Sequence, residues 1–330
     1  MMMQPSLPGQ DVTLPVVVRS MTLLAKDTLA VEFMPQDGVT LPPFAAGAHV
    51  DLLLPNGIRR SYSLCNSPSD TGRYVVGVKK ADPSRGASSY IHDTLRVGQV
   101  MKVSAPKNNF PLDETAAKSV LIAGGIGITP MMSMIDRLEA AGADWTLYFS
   151  CRTRADAAFL DRLDLLDKAH CVNLNFDGEP GGAILNLAEI IGAEQGEGVH
   201  FYACGPAPML DAFEAATEGL PEGHAHLERF GGEPLPVSDD ALETFEVECV
   251  QSGLSLTITP DTTILDALLD NGIDIPFSCM DGVCGSCRVG VVEGTPDHRD
   301  MVLSDGELSA NKVMMVCCSG SRSPKLVLDI

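Results

Sequence analysis

The chain reads as a multidomain protein of three folded parts: an antiparallel β-barrel, an α/β unit built on a parallel sheet, and a small α+β unit of β-grasp type. Three observations point there. Closely spaced strand patterns separated by turn residues fill roughly the first third of the chain, and strand and helix patterns then alternate from Ser119 to Phe230. A cysteine-rich loop, Ser278 to Arg288, sits inside a short strand and helix pattern near the C-terminus. With 330 residues and 45% hydrophobic side chains, each part can bury its own core. The predicted division is 1–112, 113–230, a linker at 231–244, and 245–330.

In the first part, PVVVRSMTLLAKDTLAVEF alternates apolar and polar residues around a turn near Lys26–Asp27. HVDLLLPNGIRRSYSL gives two strands about Pro55-Asn56-Gly57, a hairpin signal, and GRYVVGVKK adds another strand. One helix is predicted here, from about Ser88 to Leu95. Next, SVLIAGG is a strand, and ITPMMSMIDRLEAAG a helix with Thr129 at the N-cap, Pro130 in its first turn and Gly142 past its end. WTLYFSC, DAAFLDRLDLLDKA, CVNLNF, ILNLAEIIG, VHFYAC, APMLDAFEAATEG and HAHLERF continue the alternation. Such repetition predicts a parallel sheet with its ligand site at the carboxyl ends of the strands. GGEPLPVSDDALE has no periodicity and predicts the linker. Beyond it come a hairpin from FEVECV and SLTITP, a helix in TTILDALLDNG ended by Gly272, strands in RVGVVEG and LVLDI, and a capping-box pattern at Ser304 and Glu307.

The strongest chemical signal is C-x4-C-x2-C at Cys279, Cys284 and Cys287, with Cys317 following after 29 intervening residues. This is the plant-type [2Fe-2S] spacing, whereas structural zinc sites usually pair two short hooks. Cys318 stands beside Cys317, but on an extended segment adjacent side chains face opposite ways, so one of the two is expected to point inward. GGIGITP, Gly124 to Pro130, falls between strand and helix, where glycines let the backbone approach a phosphate and the helix N-terminus offers free N–H groups. It is not the G-x-G-x-x-G fingerprint. Cys204-Gly205-Pro206 ends a later strand on the same edge, where a dinucleotide would bridge the two turns. In RRSYSL, Arg60 and Tyr62 share one strand face, so a guanidinium could hold a phosphate while the ring lies against a flat ligand; Ser63 projects to the other side. Arg85 to Ser89 opens the helix of that part and is a second phosphate candidate.

A net charge of −21 speaks against nucleic acid as a partner. It is unevenly spread: +3 over 1–112, −12 over 113–230 and −8 over 245–330. No segment reaches the length of a membrane span and the first residues do not read as a signal peptide, so the expected location is the cytoplasm, without membrane contact.

With RSYSL, SRGAS, GGIGITP, CGP and the four-cysteine pattern in this order, nearly the full chain resembles the phthalate dioxygenase reductase family. The resemblance implies a flavin barrel holding FMN, an NADH domain of ferredoxin-reductase type, and a plant-type [2Fe-2S] ferredoxin that feeds a separate Rieske-type oxygenase. Carried over by motif, Arg60, Tyr62 and Ser63 are implied to bind the flavin, Val78 and Lys79 to border its ring, and Arg85, Gly86 and Ser88 to hold its phosphate, although Ser84 and Ala87 stand where the family has glycine. Gly124, Gly125, Gly127 and Thr129 match the pyridine-nucleotide loop; Cys204, Gly205 and Pro206 form the turn near the nicotinamide, and Phe230 is the aromatic that closes over the flavin. Arg152 and Arg154 follow the second strand of the parallel sheet, where they could equally hold the 2′-phosphate of NADPH. No side chain is required as acid or base, because the cofactors carry the electron transfer. The alternatives are the same electron chain serving a haem monooxygenase, or a non-enzymatic flavin and iron-sulfur redox sensor.

Overall fold

The computed structural model describes residues 13–330 except 56, 167–170, 232–235 and 278. Asn56 of the predicted hairpin turn, the end of DAAFLDRLDLLDKA, part of the predicted linker and Ser278 therefore lie outside the described residues. The chain divides into two compact units between Phe230 and Gly231.

The first unit opens with β1 (Thr13–Ala25), β2 (Thr28–Pro35), β3 (His49–Leu53), β4 (Arg59–Ser63), β5 (Tyr74–Lys79), α1 (Ala87–Asp93) and β6 (Val100–Ser104). The strands form an antiparallel sheet in the order β4-β3-β6-β1-β2-β5. Its two edges meet: Leu64 bridges Val76, and the Cys65 N–H donates to the Val75 carbonyl at 2.9 Å, so the sheet curls into a barrel. Alternate side chains, including Val16, Val18, Val31, Phe33, Val50, Leu52 and Val76, fill the interior. The β1–β2 turn falls at Asp27, as the pattern predicts, with φ 54°.

There follow β7 (Lys118–Gly124), α2 (Ile128–Ala141), β8 (Trp145–Cys151), α3 (Leu160–Asp164), β9 (Val172–Phe176), α4 (Leu187–Glu194), β10 (Val199–Cys204), α5 (Ala207–Thr217) and β11 (Ala225–Glu228). All five strands run parallel in the order β11-β10-β7-β8-β9. Along β7, Val120 and Ile122 face the layer of α4 and α5, while Leu121 and Ala123 face that of α2. The α2 layer also takes in Ala46, Cys65 and Phe110 from the barrel part, and this shared core makes one unit of the two sheets. Thr129 is not the N-cap of α2. Gly125–Gly127 winds into a 3-10 turn that runs straight into the helix, so Gly127 is the N-cap and the buried Thr129 hydroxyl donates back to the Ile126 carbonyl at 3.0 Å. Gly142 ends the helix in the left-handed conformation, as predicted.

The second unit contains β12 (Phe245–Cys249), β13 (Leu254–Ile258), α6 (Ile264–Asp270), β14 (Arg288–Glu293), β15 (Pro296–Asp297), α7 (Asp305–Ala310), β16 (Val313–Met315), β17 (Gly320–Ser321) and β18 (Lys325–Leu328). Its main sheet has the order β13-β12-β18-β14-β16, with β12 and β18 parallel, and β15 pairs with β17 alone. Thr263 caps α6 by accepting the Asp266 N–H, and Ser304 with Glu307 forms the predicted capping box on α7. The Leu242 N–H donates to Ser321 and the Ser238 hydroxyl to Asp297, so the later part of the segment read as a linker is fastened to this unit.

One buried charge ties the barrel together. Asp51, on β3, is fully buried and accepts bonds from Arg59 at 2.6 Å, Ser61 at 2.5 Å and Lys107 at 3.1 Å. Burial by itself would raise its carboxyl, but Lys107, the Ser61 hydroxyl and Arg59 outweigh it and the net shift is downward. The stabilisation is therefore complete above the unfolded carboxylate value of about 3.9 and is lost as pH falls through the lower folded value. Asp51→Ala is expected to cost about 3–5 kcal/mol at neutral pH, since it strands the partner cations, and to flatten the acid limb of the stability profile. Urea unfolding of wild type and variant between neutral and acid pH checks both.

Candidate functional site

A cleft of about 510 Å³ opens on the barrel side of the first unit. Arg60, Tyr62, Ser63, Lys79, Arg85 and Ser88 line it, together with Ile126 and Thr129 from the start of α2 and Phe230 from the end of β11. The Arg59 guanidinium and the Ser61 hydroxyl bond Asp51, but Ser61 and Ser63 line the cleft along with Arg60 and Tyr62, so both parities of β4 contribute to its wall and Ser63 is not turned away from it. Burial pushes the Tyr62 phenol up to about 12 against the opposing charge of Arg60. Val78 does not reach the cleft: it is fully buried in the barrel core, and its carbonyl is bonded to the His92 ring at 3.0 Å. Gly86 stays outside the lining as the left-handed residue before α1, with φ 102°. Ser84 draws this loop tight, its hydroxyl accepting the Gly86 N–H at 3.1 Å and bonding Ser88 and Ser89, each at 3.1 Å.

The two turns at the carboxyl edge of the parallel sheet touch each other. A Cβ on Gly127 would stand 2.0 Å from the Cys204 carbonyl oxygen, and one on Gly124 would stand 2.6 Å from Pro206 Cδ and 3.3 Å from the Gly205 Cα. The close approach these two glycines allow is thus to Cys204–Pro206, a reason the sequence reading did not supply. Gly125 differs, with φ 53° and open space where its Cβ would be.

Glu228 was not singled out from the sequence, yet it is bonded to Ser63, a residue of the cleft wall. It accepts the Ser63 hydroxyl at 3.3 Å, and burial pushes its carboxyl up to about 8, with only the Ser63 bond opposing. No local pattern marks it, because its approach to Ser63 spans 165 positions of the chain. The Cys204 thiol is held well above its ordinary value, first by burial and then by the charge of Glu228. Arg229, between Glu228 and Phe230, is tied to Asp211 at 3.3 Å and Glu214 at 2.6 Å on α5.

In the second unit the four spaced cysteines converge. The Cys284 and Cys317 thiols bond the Cys279 sulfur and hold it down at about 2, and Cys317 does the same for Cys287, which is also lowered. Cys284 and Cys317 are correspondingly pushed up, first by Cys279. Sulfurs this close cannot all be thiolates unless a cation neutralises them, and a cationic iron-sulfur core supplies that charge. The Asp281 and Val283 amides, each 3.4 Å from the Cys279 sulfur, are the N–H donors such a core needs. Among the described residues no three Cys, His, Asp or Glu side chains form a ready single-ion site, so the fit rests on these thiol pairs and amides. Cys318 is placed differently from expectation. Val316 to Cys318 is a turn rather than an extended stretch, so Cys318 stays in contact with Cys317; its sulfur lies where a Cβ on Gly282 would be 2.6 Å away, and it bonds the Met315 carbonyl.

A carboxyl raised to about 8 is mostly neutral at physiological pH, and the folded protein loses stability as pH climbs from the unfolded value to the folded one, levelling off beyond it. Glu228→Gln is therefore expected to protect against urea more at pH 9 than at pH 6, with a difference of at most ~3 kcal/mol, since the loss between those values runs from pH 6 to the folded value of about 8. Paired urea titrations of wild type and variant at the two pH values check it.

Comparison with known proteins agrees with this geometry. Residues 15–111 match the family described as oxidoreductase FAD-binding domain, 121–215 the oxidoreductase NAD-binding domain, and 248–321 the 2Fe-2S iron-sulfur cluster binding domain. Phenoxybenzoate dioxygenase subunit beta of Ectopseudomonas oleovorans is 50% identical over 290 residues, 88% of this chain and 89% of the relative. The solved structure of phthalate dioxygenase reductase superposes with a TM-score of 0.78 at 36% identity, covering 97% of this chain and 98% of that one. An intact type IV self-sufficient cytochrome monooxygenase contains a similar region, with a TM-score of 0.79 at 35% identity, covering all of this chain (100%) and 43% of the other. Three domain matches in this order, and full-length similarity at these identities, make the chain a member of the phthalate dioxygenase reductase family, an oxidoreductase with flavin-binding, NAD-binding and [2Fe-2S] domains.

Proposed function

We propose that the protein is the NADH-dependent reductase component of an oxygenase system, carrying electrons through FMN to its [2Fe-2S] cluster and on to a Rieske-type terminal oxygenase. The cleft carries this reading: it sets the cationic Arg60, Lys79 and Arg85 and the hydroxyl of Ser88 against the aromatic Tyr62 and Phe230. Bound flavin accepts a hydride and gives up electrons one at a time. Arg60 with the Arg85–Ser88 loop would hold its terminal phosphate, Tyr62 and Phe230 would supply the aromatic surfaces for its ring, and Gly124–Thr129 with Cys204–Pro206 would receive NADH. The Ser63 hydroxyl, on the cleft wall, donates to the protonated Glu228 carboxyl behind it. Cys279, Cys284, Cys287 and Cys317 ligate the cluster.

FMN rather than FAD is supported by the two phosphate-binding groups, which serve one terminal phosphate, and by the absence of a second nucleotide motif from the barrel sequence. NADH rather than NADPH is supported by the loop after β8. There Glu179 accepts the Arg154 N–H at 2.7 Å, Asp156 caps Thr153, and the Arg154 guanidinium lies 5.9 Å over the Phe176 ring, so carboxylates crowd the region where a 2′-phosphate would lie. The −8 charge of 245–330 suits a partner with a basic docking patch. No helix among the described residues is long and apolar enough to cross a membrane. A haem monooxygenase partner is the second reading, favoured by the match to part of a self-sufficient cytochrome monooxygenase.

Heat-released flavin should run as FMN on chromatography, and stoichiometric FAD would overturn that part of the reading. Cys317→Ser should abolish cluster absorbance and cytochrome c reduction while NADH oxidation by ferricyanide persists. Cys318→Ser should leave the cluster near normal, and the opposite pattern would exchange the ligand roles of the two residues.

A further inference from the structure

In the second unit two buried polar atoms without hydrogen-bond partners face each other. His298 Nδ1 lies 3.9 Å from Asp300 Oδ2, on side chains 7% and 0% exposed, and neither atom has a partner. That distance is too long for a hydrogen bond. The other polar atoms of the pair are committed: His298 Nε2 is 3.1 Å from Asn311 Oδ1, and Asp300 Oδ1 accepts the Val302 and Leu303 N–H groups at 3.1 and 2.9 Å. Because Nε2 faces an acceptor, it carries the hydrogen of the neutral ring, which leaves Nδ1 a bare acceptor opposite a carboxylate oxygen. Two acceptors in contact repel, and one added proton turns them into an ion pair. Native cores rarely leave such atoms unsatisfied without a role.

The placement suggests the role. The segment that carries the pair lies between the two cysteine-bearing stretches: the Met301 N–H donates to Gly282, inside the C-x4-C loop, at 2.9 Å, and the Arg299 N–H to the Ser319 hydroxyl, two residues past Cys317, at 3.3 Å. The Asp300 Cα lies 3.1 Å from where a Cβ on Gly282 would be. The charged neighbours on the segment, Asp297 and Arg299, bond each other at 2.7 Å, and Asp297 also accepts the Ser238 hydroxyl. Asn311 and the capping amides are uncharged, and the Cys318 thiol beside Gly282 is the remaining titratable group in the described contacts. A negative charge added to the cluster would therefore find an unneutralised carboxylate behind its loop.

We propose that His298 and Asp300 form a redox-linked proton site. When the iron-sulfur core receives one electron from the flavin, His298 Nδ1 takes one proton from solvent. One N–H bond forms, none in the protein breaks, and the added negative charge is matched; when the electron leaves, so does the proton. The inference rests on the cluster reading of the four cysteines.

The cluster potential should then fall as pH rises, approaching about 59 mV for each tenfold drop in proton activity, the one-electron, one-proton slope. The test is a redox titration of the whole flavin- and cluster-loaded protein, followed by the electron paramagnetic resonance signal of the reduced cluster, at intervals across about pH 5 to 8 and beyond. His298→Gln keeps a donor for Asn311 but has no basic nitrogen, and should give a flat profile. Asp300→Asn keeps the oxygen that caps Val302 and Leu303, turns a donor towards Nδ1, and should raise the potential and remove the slope. A flat wild-type profile, or a slope that survives in His298→Gln, overturns the proposal; should Asp300→Asn not fold, the histidine variant decides alone. A wild-type protein with no cluster signal at all would instead sink the cluster reading, a different result from a flat profile.

Discussion

The arrangement of the first unit depends on one close approach, that of Gly127 to the Cys204 carbonyl, where no side chain fits. Strands β7 and β10 are neighbours in the parallel sheet, so their carboxyl ends emerge side by side, and the turns that follow must share one small volume. Glycine at 124 and 127 lets them do so. That contact fixes the start of α2, and with it Ile126 and Thr129 in the cleft wall. Gly77 on β5 meets the same two side chains, where a Cβ would stand 2.5 Å from Thr129 Cγ2, so barrel and parallel sheet are registered to one another through a few close-packed atoms.

What the sequence made legible were the features set by local spacing. The cysteine pattern, the parity of Arg60 and Tyr62, the capping box at Ser304 and the glycine ending α2 each depend on residues a few positions apart. What stayed hidden depends on approach in space. Glu228 is an ordinary strand residue until β11 brings it to Ser63, 165 positions away, and His298 and Asp300 are two polar residues in a loop until Asn311 and the amides of Val302 and Leu303 fix their free atoms towards each other. The misplaced cap at Thr129 and the turn at Cys318 share a cause. Both were read from the geometry of regular helix or strand, and both lie where one conformation gives way to another.

Three buried carboxyl groups are satisfied to different degrees. In the barrel, Asp51 is surrounded by partners and serves as a fixed structural ion. Glu228 has a single hydroxyl beside it and is kept neutral by its surroundings, while Asp300 has one oxygen fully engaged and the other left open. Carboxylates with complete shells hold a fold in place, and those with incomplete shells can respond when charge moves nearby.

Arg229 decides how Phe230 can move. Its guanidinium is anchored on α5 by two carboxylates, so the chain just before the aromatic is clamped to a helix that packs against the parallel sheet. With the chain before it held in this way, the freedom of the half-exposed Phe230 ring lies in its own side-chain bonds, whose rotamers exchange in picoseconds to nanoseconds, and not in a hinge of the backbone that precedes it.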